Sequence, residues 1–377
     1  MAKGGRYLRK APPKKKGKAL PIILIIIALL LVIGIGFGIW YYNYLISMVT
    51  RPGSVEMPTM SDEELAAMLG TVPTAPMVGP EETEEETTPP STSPEDTWPE
   101  IVSDTNITNI MLVGQAARED ENYRLADSMI LCSINRETKT LTMSSFLRDM
   151  RVTVPAYAGH GAGFSRMNVC YHLGSYYTGE EIDSMKMLAL AVEQNFGVHV
   201  DHTVEVDFEM FKKVIDLLGG VDVELTKEEA YHLTYEKNGI GEFEEGPVTL
   251  TGHQALAYAR IRKIDNDFKR TNRQRTVITS LLNKMRSMNI MDINDLFKQV
   301  VPMIKTDMTN SEITNYAFEF IPMLVDLNIV SQSIPYEGTY WYKNIGSEEV
   351  PDYVIDANLQ VNAKRLQESI GMIEPTE

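Results

Sequence analysis

The stretch Ser128-Met-Ile-Leu-Cys-Ser-Ile-Asn135 decides the fold, because it is an almost unbroken apolar run of strand length. Such runs are typical of a strand whose sheet is covered on both faces. Ile107–Gly114 upstream predicts a first strand, Leu141–Ser145 downstream predicts a third, and Arg151–Val154 predicts a short fourth strand. The folded part of the chain is therefore predicted to be built around a sheet.

Helical patterns alternate with further strands after this first group. Ile182–Phe196 has helical periodicity and ends at Gly197, as helices often do. His202–Val206 predicts a strand, and Asp207 can cap a helix over residues 208–218. Alternation of this kind predicts an α/β fold, a layered α-β-α domain with a central mixed sheet.

The N-terminal end of the chain predicts a membrane anchor. Residues 19–44 are expected to form one transmembrane helix, because about 20 consecutive apolar residues are enough to cross a bilayer. Residues 1–18 contain eight basic side chains and no acidic one, which predicts a cytoplasmic head. The chain would then cross the cell membrane once and place its bulk outside. A cleaved signal peptide is the alternative, but its apolar region is usually shorter.

Composition divides the remainder into a linker and a folded part. Residues 45–104 are acidic and rich in Pro, Thr and Ser, which predicts a disordered linker because such a sequence buries too little apolar surface. The domain is assigned to residues 105–290, with residues 291–377 as a C-terminal extension packed on it. After residue 20 the chain has 27 basic and 52 acidic residues, a balance that argues against nucleic acid as a partner.

Positive charge outside the head is concentrated at residues 258–275, which contain seven basic side chains. Arg260 and Arg262 are two apart, as neighbours on one face of a strand would be. Arg270 and Arg273 are three apart, as neighbours on a helix would be. A strand end followed by a helix start could direct several guanidinium groups at one phosphate, which arginine binds through two parallel hydrogen bonds. A solvated, salt-bridged surface is the alternative interpretation.

Arginine and aspartate also recur near the predicted ends of other strands. Arg148-Asp149 follows the third strand, Asp127 precedes the second, and Arg166 lies in a loop after a glycine-rich segment. In α/β sheets ligands bind where strand ends meet loops, so these side chains are candidates for one site with the basic segment. The sequence contains no P-loop, His-Glu-x-x-His or Gly-x-Ser-x-Gly motif, so a covalent serine nucleophile is not expected.

These residues lie in motifs that resemble the LytR–CpsA–Psr family of bacterial cell-envelope proteins. The resemblance extends over about residues 107–285 and includes Leu147-Arg-Asp149, Arg166-Met-Asn168, Asp216-Leu-Leu-Gly-Gly-Val221 and Leu250-Thr-Gly-His-Gln-Ala-Leu-Ala-Tyr-Ala-Arg-Ile-Arg262. Members of this family look like phosphotransferases that move an anionic glycopolymer, such as teichoic acid or capsule, from a polyprenyl pyrophosphate carrier to peptidoglycan. The resemblance therefore implies a membrane-anchored transferase that acts on these two partners.

The resemblance also implies roles for single residues. The pyrophosphate would be held by six arginines and one amide, namely Arg148, Arg166, Arg260, Arg262, Arg270, Arg273 and Gln274. A Mg²⁺ ion, or Mn²⁺, would bridge the phosphate oxygens to Asp127. Arg148, Asp149 and Asp267 would be catalytic, with either aspartate as the base for the attacking hydroxyl. The lipid would need an apolar groove, for which the helices Met185–Val192 and Ile278–Met288 are candidates.

The sequence departs from the family at one position. The first strand of family members usually ends in Gly-x-Asp, whereas here it ends in Gly114-Gln-Ala116, so an expected metal-binding carboxylate is an alanine. Two alternatives follow from Ala116. Either Asp127 and the phosphates hold the metal alone, or the domain binds lipid-linked sugar without transferring it, as a non-catalytic binder or envelope regulator. Hydrolysis of the polyprenyl pyrophosphate without transfer is a third interpretation.

Overall fold

The computed structural model describes residues 98–115, 125–236, 240–347 and 350–374. The predicted cytoplasmic head, the transmembrane helix at residues 19–44, most of the linker and Ala116 lie outside these ranges. The predictions made for them stay predictions. Within the described ranges, none of the helices combines the length and the apolar character that a membrane span requires.

A six-stranded mixed sheet forms the centre of the domain, as the sequence predicted, and its strands lie in the order β10-β3-β2-β1-β6-β9. The strands of the described chain are β1 (Ile107–Gln115), β2 (Ala126–Asn135), β3 (Thr140–Phe146), β4 (Arg151–Val154), β5 (Gly163–Arg166), β6 (His202–Val206), β7 (Val221–Leu225), β8 (Gly246–Leu250), β9 (Lys305–Thr306), β10 (Asn328–Ile334), β11 (Tyr340–Asn344) and β12 (Tyr353–Ala357). β1 is antiparallel to β2 and parallel to β6, and β10 is parallel to β3. The end of β1 and the start of β2 therefore lie at the same edge of the sheet.

Helices cover this sheet and are delimited largely by the predicted caps. They are α1 (Met167–Thr178), α2 (Ile182–Phe196), α3 (Phe208–Leu217), α4 (Lys227–Tyr231), α5 (Gly252–Ala259), α6 (Asp267–Arg286), α7 (Ile290–Val300), α8 (Asn310–Met323) and α9 (Leu359–Ile370). Gly197 ends α2 with a φ of 62°, a left-handed conformation that glycine adopts without strain. The carboxylate of Asp207 accepts a hydrogen bond from the Met210 amide and so caps α3, as the sequence predicted.

The two faces of the sheet carry separate apolar layers, because side chains alternate along each strand. Met111 and Val113 of β1 are fully buried in a core formed with α1, α2 and α9. Leu112, between them, faces the opposite layer, where Ile278 and Leu282 of α6 pack. The layered α-β-α architecture that the sequence predicted follows from this alternation.

The two ends of the predicted domain are more closely integrated than the sequence indicated. β9 pairs with β6 and β10 pairs with β3, so the region described above as a C-terminal extension supplies both edge strands of the central sheet. At the other end, the amide of Val102 donates to the carbonyl of Gly197 at 2.9 Å. The Gln367 side chain donates to the Glu100 carbonyl at 3.3 Å. The last residues assigned to the linker thus contact the folded domain.

Candidate active site

A groove of about 310 Å³ lies between the sheet and the helices on one of its faces. Its walls are predominantly apolar and come from strands β1 and β2 and from helices α3, α5 and α6, with Leu112, Ile130, Phe211, Val214, Leu256, Ile278, Leu281, Leu282 and Met285 among the lining residues. Helix α6 lines the groove along its length, from Arg270 to Met285, which is about 22 Å at 1.5 Å per residue. The groove is therefore long, narrow and suited to an extended apolar ligand.

Polar side chains are confined to the end of the groove near the start of α6. Asp127, Arg260, Arg262, Arg270 and Gln274 all line the groove there, whereas the later turns of α6 contribute only apolar side chains. Two local features bring them together. Asp127 lies at the start of β2, where the pairing with the end of β1 is irregular, and the loop between α5 and α6 reaches it through the ion pair of Arg262 with Asp127. The groove thus has an apolar body and a basic mouth.

Arg270 is the most deeply buried basic side chain of this mouth, with a relative exposure of 1%. It forms an ion pair with Asp267 at 2.8 Å, one helical turn earlier. Its Nε and Nη1 atoms, and the Oε1 atom of Gln274, find no hydrogen-bond partner among the described residues. Burial lowers the pKa of the Arg270 guanidinium to about 10, so it remains charged at neutral pH. Buried donors without acceptors are costly, and an anionic ligand would satisfy them.

Two further arginines complete the mouth. Arg262 donates to the Asp127 carboxylate at 2.7 Å and keeps an exposed side chain. Arg260 stacks its guanidinium over the Phe208 ring at 4.6 Å from the centroid, and this contact holds its position. Both side chains lie on the loop that follows α5. The expectation that Arg260 and Arg262 share one face of a strand is wrong, because α5 ends at Ala259 and the chain continues as an irregular connection.

The predicted catalytic residues lie beside this mouth. Arg148 pairs with Asp149 at 3.2 Å, on the turn between β3 and β4. Burial raises the pKa of Asp267, while the charges of Arg270 and Arg148 oppose that rise. The Oδ2 atom of Asp267 accepts no hydrogen bond in the described part of the chain. A partly buried carboxylate that has one oxygen without a hydrogen bond from the described residues, beside several guanidinium groups, has the properties of a general base.

Arg166 and Arg273 are not among the residues that line the groove. Arg166, at the end of β5, forms an ion pair with Asp352 and lies 3.8 Å from Asp149. It therefore flanks the turn between β3 and β4 that bears Arg148 and Asp149. Arg273 faces away from the groove and is 3% exposed. It donates to Asp265 at 2.6 Å and to the carbonyl of Ile261 at 2.7 Å. This geometry makes Arg273 a positioning residue for the loop that carries Arg260 and Arg262.

Of the two helices considered for the lipid groove, only one lines it. Residues 278–285 of α6 form the apolar wall, as predicted for Ile278–Met288. The prediction for Met185–Val192 is wrong, since Met185 and Leu188 are fully buried against the other face of the sheet. The sequence interpretation missed α3, whose residues Met210, Phe211 and Val214 supply the facing wall. Their helical spacing was the available signal, because apolar residues three and four apart share one face.

The mouth of the groove fits a hard divalent cation that is shared with phosphate. Asp127 places one carboxylate there, and the described residues contain no group of three metal-binding side chains. Mg²⁺ commonly takes one or two carboxylates and completes its shell with water and substrate phosphates. The donor set is therefore compatible with a cation that enters together with a pyrophosphate.

The comparisons with known proteins agree with this geometry. The LytR_cpsA_psr family pattern matches residues 78–360. The polyisoprenyl-teichoic acid–peptidoglycan teichoic acid transferase TagU of Bacillus licheniformis is 32% identical over 241 residues, which cover 62% of this chain and 72% of that protein. The polyisoprenyl-teichoic acid–peptidoglycan teichoic acid transferase TagT of Bacillus subtilis is 26% identical, over 70% of this chain and 77% of the TagT chain. Among solved structures, TagT bound to LIIa-WTA is 25% identical with a TM-score of 0.54, covering 71% of this chain and 92% of that one.

Proposed function

The chain belongs to the LytR–CpsA–Psr family, and from this premise we propose that it is a phosphotransferase that attaches an anionic glycopolymer to peptidoglycan. The polymer would arrive on a polyprenyl carrier, as the names of its polyisoprenyl-teichoic acid transferase relatives suggest, and the arginines of the mouth favour a pyrophosphate as the link between the two. The observation that carries this proposal is the union of an apolar groove with a buried arginine, Arg270, whose Nε and Nη1 atoms find no acceptor among the described residues. The groove suits the lipid, and the mouth suits its doubly charged head.

The binding of the donor follows from the two parts of the groove. The polyprenyl chain would lie along α6, where apolar side chains remove it from water at roughly 25 cal/mol per Å². The pyrophosphate would accept hydrogen bonds from Arg270, Arg260 and Arg262. Gln274 would orient it by donating a further hydrogen bond from its side-chain amide nitrogen. Arginine is suited to this task, because its planar donor fork matches two phosphate oxygens at once.

The reaction would be a direct displacement at the phosphorus that carries the polymer. A hydroxyl of peptidoglycan attacks this phosphorus, a new phosphoester bond forms, and the bond to the bridging oxygen of the pyrophosphate breaks. Polyprenyl phosphate leaves, and the proton of the hydroxyl moves to a carboxylate. Such transfers depend mainly on positioning and on neutralising charge. The arginines of the mouth would stabilise the negative charge that develops on the leaving phosphate.

We assign the proton acceptor to Asp267 rather than Asp149. The Oδ2 atom of Asp267 is without a hydrogen-bond partner among the described residues, whereas Asp149 lies between Arg148 and Arg166. Burial also raises the pKa of Asp267, which makes it a stronger base than an exposed aspartate. Asp149 would then hold the two arginines in place. Arg148 would act on the transferring group, since its charge already influences Asp267.

A divalent cation, Mg²⁺ or Mn²⁺, is part of this proposal, with Asp127 as its protein ligand. When bound, it would neutralise pyrophosphate charge and so assist departure of the lipid phosphate. The alanine at position 116 favours a second candidate function, a binder of lipid-linked sugar that turns over slowly or not at all. We prefer the transferase, because a Mg²⁺ site can function with a single carboxylate plus substrate phosphates.

We also propose that residues 19–44 anchor the chain and that the domain is extracytoplasmic. The support is the charge-free apolar segment that follows eight basic residues. This location places the groove on the side of the membrane where peptidoglycan lies. Protease added to intact protoplasts should degrade the domain, and protection of the domain would contradict the orientation.

The full chain incubated with a lipid-linked polymer, peptidoglycan and Mg²⁺ tests the function. Transfer predicts release of polyprenyl phosphate together with polymer covalently attached to the wall. Release without attachment identifies a hydrolase. Donor binding without release identifies the non-catalytic binder suggested by Ala116.

A further inference from the structure

A hairpin beside the turn that bears Arg148 and Asp149 carries two tyrosine rings, partly buried Tyr340 and exposed Tyr342. The hairpin consists of β11 and β12, and the amide of Ile355 in β12 donates to the carbonyl of Asp149 at 2.9 Å. The adjacent residue Met150 forms a parallel bridge with Ile355. The side chain of Asp352, just before β12, forms an ion pair with Arg166. The hairpin is therefore fixed to the turn that bears Arg148 and Asp149.

The aromatic row leads from the proposed base to solvent. Phe268 directly follows Asp267 in α6, and its ring lies 5.1 Å from the ring of Tyr340. The ring of Tyr340 lies 6.2 Å from that of Tyr342, nearly perpendicular to it. Tyr342 is 62% exposed, so the outer end of the row is open to a ligand in solution. We call Phe268, Tyr340 and Tyr342 the aromatic row.

The cations beside the hairpin lie within ion-pair distance of carboxylates on the hairpin or next to it. Lys343 and Arg151 both pair with Asp356, at 3.4 and 3.8 Å. Arg166 is paired with Asp352. Arg151, Arg166 and Lys343 each have a carboxylate partner. These three cations are therefore not free to attract a polyphosphate to the surface around the aromatic row. It suits uncharged rings, which pack their C–H faces on aromatic faces while tyrosine hydroxyls reach their polar groups.

We propose that the aromatic row binds the sugar rings of the acceptor, the glycan strand of peptidoglycan. This inference rests on the proposed function, because it needs a transferase with two substrates. The donor would enter from the basic groove mouth, on the Arg270 side of Asp267. The acceptor would lie on the aromatic row, on the Phe268 side, with its hydroxyl presented to Asp267. The row would thus select the acceptor, and the arginines would select the donor.

Tyr342→Ala in the full chain tests the row, with Tyr342→Phe as the conservative variant and Trp341→Ala as the matched control. Trp341 is also an exposed aromatic of β11, but strand alternation directs it to the other face of the hairpin. Two quantities are measured: the affinity for soluble, uncrosslinked peptidoglycan glycan fragments, and the KM values for donor and acceptor in transfer. We expect Tyr342→Ala to weaken fragment binding and raise the acceptor KM by about three- to tenfold, a loss typical of one aromatic contact.

The donor KM should not change in Tyr342→Ala, and Tyr342→Phe and Trp341→Ala should stay within about twofold of the parent chain. Absence of fragment binding by the parent chain, equal losses in Tyr342→Ala and Trp341→Ala, or a rise of the donor KM alone would overturn the inference. A rise of the donor KM alone would instead assign the row to the sugars of the transferred polymer. Fragment binding is independent of turnover, so failure of the transferase proposal appears separately, as absence of transfer by a chain that still binds glycan.

Discussion

Arg262 and Asp127 form an ion pair at 2.7 Å across the mouth of the groove. The pair joins the loop between α5 and α6 to the start of β2. It also links the proposed phosphate site to the proposed cation site. A pyrophosphate that binds Arg262 would free the Asp127 carboxylate for a cation, and the cation would in turn favour the pyrophosphate. In the proposed mechanism, the ion pair would therefore make the binding of donor and metal mutually dependent.

Asp127→Asn should weaken this dependence. The amide keeps the shape of the side chain but lacks the charge, so Mn²⁺ binding in the presence of inorganic pyrophosphate should weaken at least about tenfold. Electron paramagnetic resonance of free Mn²⁺ measures this affinity without turnover. Asp326→Asn, at an exposed surface position paired with Lys139, is the control and should leave the affinity unchanged. Equal Mn²⁺ affinity in parent and Asp127→Asn would remove Asp127 from the cation site.

Arg270→Ala should abolish tight donor binding. Loss of one partner from a buried, charged contact costs about 2–5 kcal/mol, which corresponds to at least a roughly thirtyfold rise in Kd for polyprenyl pyrophosphate. Arg270→Lys keeps a charge but loses the planar fork, so its affinity should be intermediate. Lys269→Ala, one residue earlier and exposed, is the control. Titration of a short-chain polyprenyl pyrophosphate gives these values, and an unaltered Kd in Arg270→Ala would place the pyrophosphate elsewhere.

Ile278→Trp should block the apolar body of the groove. The indole would occupy space that the lipid needs, so the affinity for a long polyprenyl pyrophosphate should fall while the affinity for inorganic pyrophosphate is retained. Asn283→Trp, exposed on the same helix, controls for the effect of a tryptophan on α6. Parallel losses for both ligands in Ile278→Trp would mean that the substitution has damaged the mouth as well, and equal affinities for long lipid would show that the lipid does not use the groove.

Arg273→Ala should lower the stability of the domain, and any effect on donor binding should follow from that loss. The substitution leaves Glu229, which is 7% exposed, without its partner, and breaking a buried pair of this kind costs about 3–5 kcal/mol. The melting temperature should therefore fall, and the loop with Arg260 and Arg262 should loosen. Calorimetry of the full chain checks this. A melting temperature equal to that of the parent, together with lost donor binding, would show that Arg273 contacts the ligand.

Activity should depend on pH through Asp267. Burial raises its pKa above that of an ordinary aspartate, and the base must be ionised, so transfer should fall as pH falls through this raised value. Stability should change in the opposite direction to activity. Because the pKa of Asp267 is raised in the folded state, its ionisation lowers the free energy of unfolding as pH rises. Asp267→Asn should lose transfer and also lose this pH dependence of unfolding. Transfer that keeps its acidic limb in Asp149→Asn, together with a pH dependence of unfolding that disappears in Asp267→Asn, identifies Asp267 as the base, and transfer that persists in Asp267→Asn would contradict the assignment.

The fold was largely predictable because its central strands have predominantly apolar sequences. Ser128–Asn135 and Ile107–Gly114 can be buried only by a sheet that is covered on both faces. The site was less predictable. Arg270 and Gln274 differ by about 40° around a helix and share the groove, whereas Arg273 lies about 100° from Gln274 and is directed elsewhere. Apolar periodicity shows that Met185–Val192 is buried, but it does not show which face of the sheet buries it.

The donor phosphorus that bears the polymer provides the most direct test of the central claim. A polyprenyl pyrophosphate-linked polymer labelled at this phosphorus is given to the full chain with peptidoglycan and Mg²⁺, and the label is located after turnover. Direct displacement predicts that the label is covalently attached to peptidoglycan, with unlabelled polyprenyl phosphate released in equal amount. Label that stays on the lipid, or that appears only on soluble polymer or as inorganic phosphate, would contradict the account.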